Sequence, residues 1–214
     1  MTNARDLRVL PYGDDAVLVE LPGLAEVRQL DDAVRAARAS DPDAAAIVDQ
    51  VPAARTLLLR VREGADPAAL PVVRWWAGRS RSVAPGNGGD EVVLDVDYDG
   101  PDLADVAGLT GLTAQEVVDR HTAATYTVAF GGFMPGFAYL TGLDPALRVP
   151  RLDSPRERVP AGSVAVADEF SAVYPAATPG GWRLLGRCEV VLFDVARDQP
   201  ALLQPGTRVR FRAT

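Results

Sequence analysis

From Tyr126 onward the apolar segments are short, and proline and glycine turns separate them. Residues 126–130, 163–167, 172–174, 183–185, 190–193 and 208–211 each read as a strand of three to five residues. Many short strands at such spacing leave few options for this half of the chain: a barrel or a sandwich. The first half has a different texture. Residues 7–10 and 16–19 read as strands around a Gly13-Asp14-Asp15 turn, followed by an apolar stripe at Leu24, Val27, Leu30, Val34 and Ala37. That stripe predicts an amphipathic helix ending before Asp41-Pro42. Strands are expected at 47–51 and 56–61. Asp66-Pro67 then offers a helix start, with Leu70, Val73, Trp76 and Ala77 inward, although Pro71 disturbs it. The order ββαββα suggests a two-layer α/β sandwich.

Residues 80–90 (SRSVAPGNGGD) lack apolar periodicity and are rich in Gly, Pro and Ser, which marks a domain boundary. The expectation is an α+β protein with one domain over 1–84 and a second over 90–214. In the second, 91–96 reads as a strand, and Thr113-x-x-Glu116 is a capping box for a helix running to about Thr122.

What the 214 residues lack excludes several chemistries. All 22 basic residues are Arg, so lysine Schiff bases and a lysine-bearing P-loop are out. One His and one Cys, His121 and Cys188, exclude a Cys/His zinc site and an intramolecular disulfide. A net charge of −7 offers no nucleic-acid footprint. No apolar run is long enough to span a membrane, and the first residues do not resemble a signal peptide. A cytoplasmic location is the simplest expectation.

Four places carry candidate chemistry. His121 shares a helix face with Val117 and Val118, which fits either a half-buried core histidine or a general acid/base. The run from Phe130 to Tyr139 sets glycines among aromatics, as a ligand pocket or a tight packed corner does. Arg148, Arg151, Arg156 and Arg158 sit in a proline-stiffened segment that ends in Gly162-Ser163. They could be surface ion-pair partners or an anion site. Thr178-Pro179-Gly180-Gly181-Trp182 is a turn anchored by an aromatic. The spacing Gly181-x4-Gly186-Arg187-Cys188 imitates a Walker A motif, but lacks its Lys and its hydroxyl. Cys188 has no evident activator and reads as a buried hydrophobe.

Taken together, these blocks resemble the allophanate hydrolase subunit 1 family, which includes the B subunit of 5-oxoprolinase and a KipI-type inhibitor of a sporulation kinase. The matching stretches are His121-Thr122-x-x-Thr125-Tyr126, Gly132-Phe133-Met134-Pro135-Gly136-Phe137-Ala138-Tyr139, Arg156-x-Arg158-Val159-Pro160-Ala161-Gly162-Ser163, Tyr174-Pro175 and Pro179-Gly180-Gly181-Trp182. The resemblance implies a cyclophilin-like β-barrel behind the small N-terminal domain, and kinship to the carboxyltransferase domain of urea carboxylase. It implies one component of a heteromeric, ATP-dependent 5-oxoprolinase, inactive alone. The partner would be a larger polypeptide, similar to the C subunit of 5-oxoprolinase or to allophanate hydrolase subunit 2. ATP would be held with that partner; neither a biotin attachment site nor a metal site is expected. His121, Arg156 and Arg158 are the expected catalytic residues. Tyr126, Gly132, Phe133, Pro135, Gly136, Phe137, Tyr139, Gly162, Ser163, Pro179, Gly180, Gly181 and Trp182 are expected to line the substrate site. A kinase-binding regulator and an allophanate hydrolase component are the alternatives the same motifs allow.

Overall fold

A computed structural model describes residues 7–79 and 91–214. The chain divides into two compact units between residues 84 and 85; the expected boundary at 80–90 lies outside the described residues.

In the first unit, β1 (Arg8–Tyr12), β2 (Ala16–Glu20), β3 (Ile47–Pro52) and β4 (Thr56–Val61) form an antiparallel sheet in the order β1-β2-β4-β3. Helices α1 (Leu24–Ala37), α2 (Pro42–Ala45) and α3 (Val72–Gly78) complete it. Val27, Leu30 and Val34 of α1 recur at helical spacing and pack with Val17, Val19, Leu57 and Leu59 of the sheet and with Trp75 and Trp76 of α3. Three expectations shift. Val73 and Ala77, expected inward, are exposed, and α3 buries Val72, Trp75 and Trp76 instead. Asp66-Pro67 opens only a single 3₁₀ turn, Pro67–Ala69, and the helix proper begins after Pro71, whose ring and missing N–H prevent an earlier start. Asp41-Pro42, read as a stop, also starts α2: the Asp41 carboxylate accepts the Asp43 N–H at 3.0 Å, and Pro42 occupies the first turn.

The second unit contains β5 (Val92–Val96), α4 (Leu103–Thr110), α5 (Ala114–Ala123), β6 (Tyr126–Gly131), β7 (Ala138–Thr141), β8 (Arg156–Val159), β9 (Ser163–Ala167), β10 (Phe170–Val173), β11 (Thr178–Gly180), β12 (Arg183–Arg187) and β13 (Arg208–Ala213). Seven strands form one sheet in the order β12-β9-β10-β7-β6-β13-β5, and β8 and β11 pair separately. The large sheet curls until its edges meet. Just past β5, Asp97 exchanges two backbone hydrogen bonds of 2.9 Å with Arg187 at the end of β12. Gly100 and Asp102 then donate to the carbonyls of Leu185 and Leu184, both at 3.1 Å. Glycine is required on both sides of this seam. A Cβ on Gly100 would lie 2.3 Å from the Leu185 carbonyl carbon, and one on Gly186 would lie 2.3 Å from the Asp97 oxygen. The result is a nearly closed barrel. The segment 190–193, expected as a strand, contributes only an isolated bridge from Phe193 to Ala201. The capping box at Thr113 and Glu116 is present and starts α5. None of the helices among the described residues is long and apolar enough to cross a membrane.

A β-bulge sets up the rest of the molecule's chemistry. Val128 pairs with Leu140, yet Phe130 pairs with Tyr139, so the register slips by one between them. Without that slip, Phe130 would follow Val128 into the barrel core; with it, Phe130 turns to the opposite face beside Tyr139.

Candidate functional site

On the face that Phe130 and Tyr139 share, aromatic rings from separate segments form one continuous network. Phe130 stacks on Tyr139 with centroids 4.4 Å apart, and Phe170 meets Tyr139 edge-on at 5.6 Å. Phe137 touches Tyr139, Tyr174 and Trp182 at 5.1, 5.3 and 5.6 Å. Phe133 reaches Phe137 at 5.3 Å. Edge-to-face contacts dominate, the arrangement favoured by ring quadrupoles. The β6–β7 loop, strand β7 and the turn after β11 thus bring four expected residues, Phe133, Phe137, Tyr139 and Trp182, into one cluster with Phe130 of β6 and Phe170 of β10.

The loop between β6 and β7 forms the exposed rim of this cluster. Phe133 is 60% exposed and sits at φ 67°, a left-handed conformation that a bulky side chain rarely adopts. Within the loop, the N–H groups of Gly132, Met134 and Phe137 donate to the carbonyls of Phe137, Gly132 and Met134. The N–H groups of Phe133 and Gly136 make no hydrogen bond among the described residues. These two are the donors of the loop that a developing oxyanion could use. Gly136 faces Phe193, which is 37% exposed, so two solvent-exposed aromatics border one loop. Pro135 is exposed at its tip.

The glycines of the 178–182 turn give Tyr174 its place. A Cβ on Gly180 would lie 2.6 Å from the Tyr174 hydroxyl, so only glycine leaves room for the phenol. Gly162 donates to the Tyr174 carbonyl at 2.7 Å, and the Ser163 carbonyl accepts the Tyr174 N–H at 2.9 Å. Gly162 and Ser163 are buried and hold Tyr174 in register; they do not face a cleft. Burial pushes the phenols of Tyr174 and Tyr139 up, and for both the nearby Arg151 guanidinium opposes the rise. Arg151 also lies over Trp182, 5.8 Å from the ring centroid.

The arginines do not converge as the alternation of Arg156 and Arg158 suggests. Arg156 is ion-paired with Asp102, whose side chain is 4% exposed. The Arg158 side chain is exposed and makes no ion pair or hydrogen bond among the described residues. Asp102 precedes α4 and lies far from Arg156 in sequence, so nothing in the local pattern could have paired them.

His121 also departs from expectation. It is fully buried inside the barrel, as the core-histidine reading of its helix face has it, and is not the acid/base that the resemblance implies. Its Nε2 lies 2.9 Å from Ser171 Oγ, and Ser171 pairs with Leu140, whose side chain is in the barrel core. Tyr139, the next residue, projects to the other face with the aromatic cluster. The imidazole and the Gly132–Phe137 loop are therefore on opposite sides of one sheet. Ser171 Oγ donates to the Ala165 carbonyl at 3.2 Å, so it accepts from Nε2, and Tyr98 donates to Nδ1. Every polar atom is satisfied with the ring neutral, and burial drops its pKa to about 3. Tyr126 is likewise a core residue: its hydroxyl caps the His121 carbonyl at 3.0 Å and its ring packs on Phe211. Cys188 is buried, and burial pushes its thiol up, which suits a structural cysteine.

Comparison with known proteins gives a consistent family. Residues 7–203 match the model of the carboxyltransferase domain, subdomain C and D. The B subunit of 5-oxoprolinase from Escherichia coli O157:H7 is 42% identical over 168 residues, covering 77% of this chain and 77% of its own. That of Haemophilus influenzae is 34% identical over 209 residues, covering 96% and 97%. Among solved structures, TTHA0988 superposes with a TM-score of 0.76 at 35% identity, over 94% of this chain and 40% of its own. The chain thus spans about two fifths of that longer polypeptide. Kluyveromyces lactis urea carboxylase shares the fold at 17% identity and a TM-score of 0.73, covering all of this chain and 22% of its own.

Proposed function

The chain belongs to the carboxyltransferase domain, subdomain C and D family, and on that footing we propose that it is one component of an ATP-dependent 5-oxoprolinase. The observation that carries the reading is the similarity, over nearly the full length of both chains, to a protein named as the B subunit of 5-oxoprolinase. The reaction adds water across the lactam C–N bond of 5-oxoproline to give glutamate. Ring opening of a five-membered lactam is uphill, so ATP hydrolysis supplies the drive.

The aromatic cluster suits a small flat ring bearing one charge. Phe137, Tyr139 and Trp182 form its apolar wall, and the arginines at its edge take the carboxylate. The free N–H groups of Phe133 and Gly136 are placed to stabilise an oxyanion as the carbonyl is attacked. His121, buried and neutral on the other face of the sheet, has no part in proton transfer; it fixes the barrel interior. The chain has no lysine to cradle a triphosphate, so we assign ATP to the side shared with a larger partner, similar to the C subunit of 5-oxoprolinase. The exposed Phe133 and Phe193 suit that assembly as apolar contacts at the rim of the site.

Deleting the gene tests the reading in the cell. The mutant is expected to accumulate 5-oxoproline, and the wild-type gene restored in trans is expected to clear it. Unchanged 5-oxoproline levels overturn the proposal.

A further inference from the structure

Strand β8 begins at Arg156, whose register partner on β11 is Gly180, the residue beneath the Tyr174 hydroxyl. The segment before β8 wraps the same turn: Leu152 donates to the Gly181 carbonyl at 2.7 Å, and Arg151 reaches over Trp182. Two guanidinium groups from opposite ends of a six-residue segment therefore flank one aromatic turn. The Tyr174 phenol senses both of them, after its burial and its Trp182 backbone hydrogen bond.

Arg156 is held from behind. Asp102 Oδ1 accepts from its Nη2, while Asp102 Oδ2 accepts the Leu184 N–H at 2.7 Å. The Asp102 N–H returns to the Leu184 carbonyl, which locks the carboxylate to the barrel seam. The other terminal nitrogen of Arg156, Nη1, is enclosed and has no hydrogen-bond partner among the described residues. A buried donor without an acceptor is costly, and native structures keep few of them. The second cation at the turn, Arg151, lies over Trp182 and has Asp168 Oδ2 3.9 Å from its Nε, an ion pair exposed on both sides that a ligand carboxylate would replace.

We infer that Arg151 and Arg156 together form a carboxylate-binding site against Trp182 and Tyr174, with Asp102 as the positioning residue of Arg156. The preferred ligand is a small flat ring carrying one carboxylate. That the ring is the lactam of 5-oxoproline rests on the function proposed above; the anion site does not. Every residue named lies in this chain, so the subsite is whole without a partner.

Titration calorimetry of the full chain with 5-oxoproline and with 2-pyrrolidone, the same lactam without the carboxylate, tests it. The wild type is expected to bind 5-oxoproline at least about tenfold more tightly, the scale of a charge-assisted hydrogen bond. Asp102→Asn and Arg151→Gln are expected to bring the two ligands within about threefold of each other, while the exposed Arg38→Lys keeps the preference. In the assembled enzyme, Asp102→Asn should raise KM for 5-oxoproline about tenfold with kcat within about twofold, a split that a merely structural role would not give. If Asp102→Asn does not fold, Arg151→Gln and Arg156→Lys decide the question. Equal or undetectable binding of the two ligands by the wild type, or an undiminished preference in folded variants, overturns the inference. A carboxylate preference without ring opening by the assembled enzyme keeps this site and removes the oxoprolinase reading; ring opening without the preference does the reverse.

Discussion

The Tyr98 hydroxyl lies 2.6 Å from Nδ1 of His121. With Ser171 spending its own proton on the Ala165 carbonyl, the bond can run in one direction only, from phenol to imidazole. The chain's single histidine is thereby held as the neutral Nε2–H tautomer. Adding a proton at Nδ1 would oblige the phenol to turn and accept, and would put a charge on a fully buried ring.

This makes stability pH-dependent with a defined sign. The folded-state pKa of about 3 lies below the ordinary 6.5. Between those values the unfolded chain binds a proton that the folded chain refuses. The stabilisation is complete above about pH 6.5 and is lost as pH falls toward 3, on the order of 1 kcal/mol per pH unit. Carboxylates titrate lower, apart from Asp32, which burial and the neighbouring Asp31 push up, so the comparison with His121→Gln isolates this histidine between about pH 6.5 and 5. Urea denaturation at points across that range should show the slope in the wild type and not in His121→Gln. Equal slopes in both would contradict the assignment.

Gly180→Ala places a methyl 2.6 Å from the Tyr174 hydroxyl. The backbone there needs no left-handed conformation, so the cost is steric alone. The variant should lose about 1–3 kcal/mol and disturb the Phe137 and Trp182 contacts of the phenol. In a Tyr174→Phe background the same substitution should cost about 1 kcal/mol less, since the nearest clashing atom is gone. A double-mutant cycle by chemical denaturation measures this, and additive effects would show that the two residues do not meet.

Phe133 combines a left-handed backbone with 60% exposure. Glycine relieves strain of about 1–2 kcal/mol there and gives back about 0.5–1 kcal/mol in chain entropy. Phe133→Gly should therefore leave the stability of the chain within about 1 kcal/mol while reducing turnover in the assembled enzyme. A large loss of stability with turnover intact would make the ring a packing element.

The N-terminal sheet and α1 were legible because one face of each is apolar at the right period: Leu57 and Leu59 alternate, and Val27, Leu30 and Val34 recur on a helix. The turns of the second half left a barrel or a sandwich, and the family resemblance chose the barrel. The site was only partly so. Phe133, Phe137, Tyr139 and Trp182 fall in motifs dense in glycine, and they do meet. The bulge that flips Phe130 leaves no local mark, since Val128, Ala129 and Phe130 suit either register. His121 was misplaced because a helix face says which residues turn inward, and not which side of a distant sheet they meet. Asp102 was missed for a similar reason: its partners, Arg156 and Leu184, are supplied by barrel closure.

Whether this chain is a required component of a 5-oxoprolinase is measured most directly by the glutamate formed from 5-oxoproline and ATP as the chain is titrated into a fixed amount of its purified partner. Neither component alone should produce glutamate. Turnover should rise linearly with added chain and level off at a fixed molar ratio, with ATP consumed in step. Full turnover by the partner alone, or none at any ratio with a complex that forms, would contradict the account.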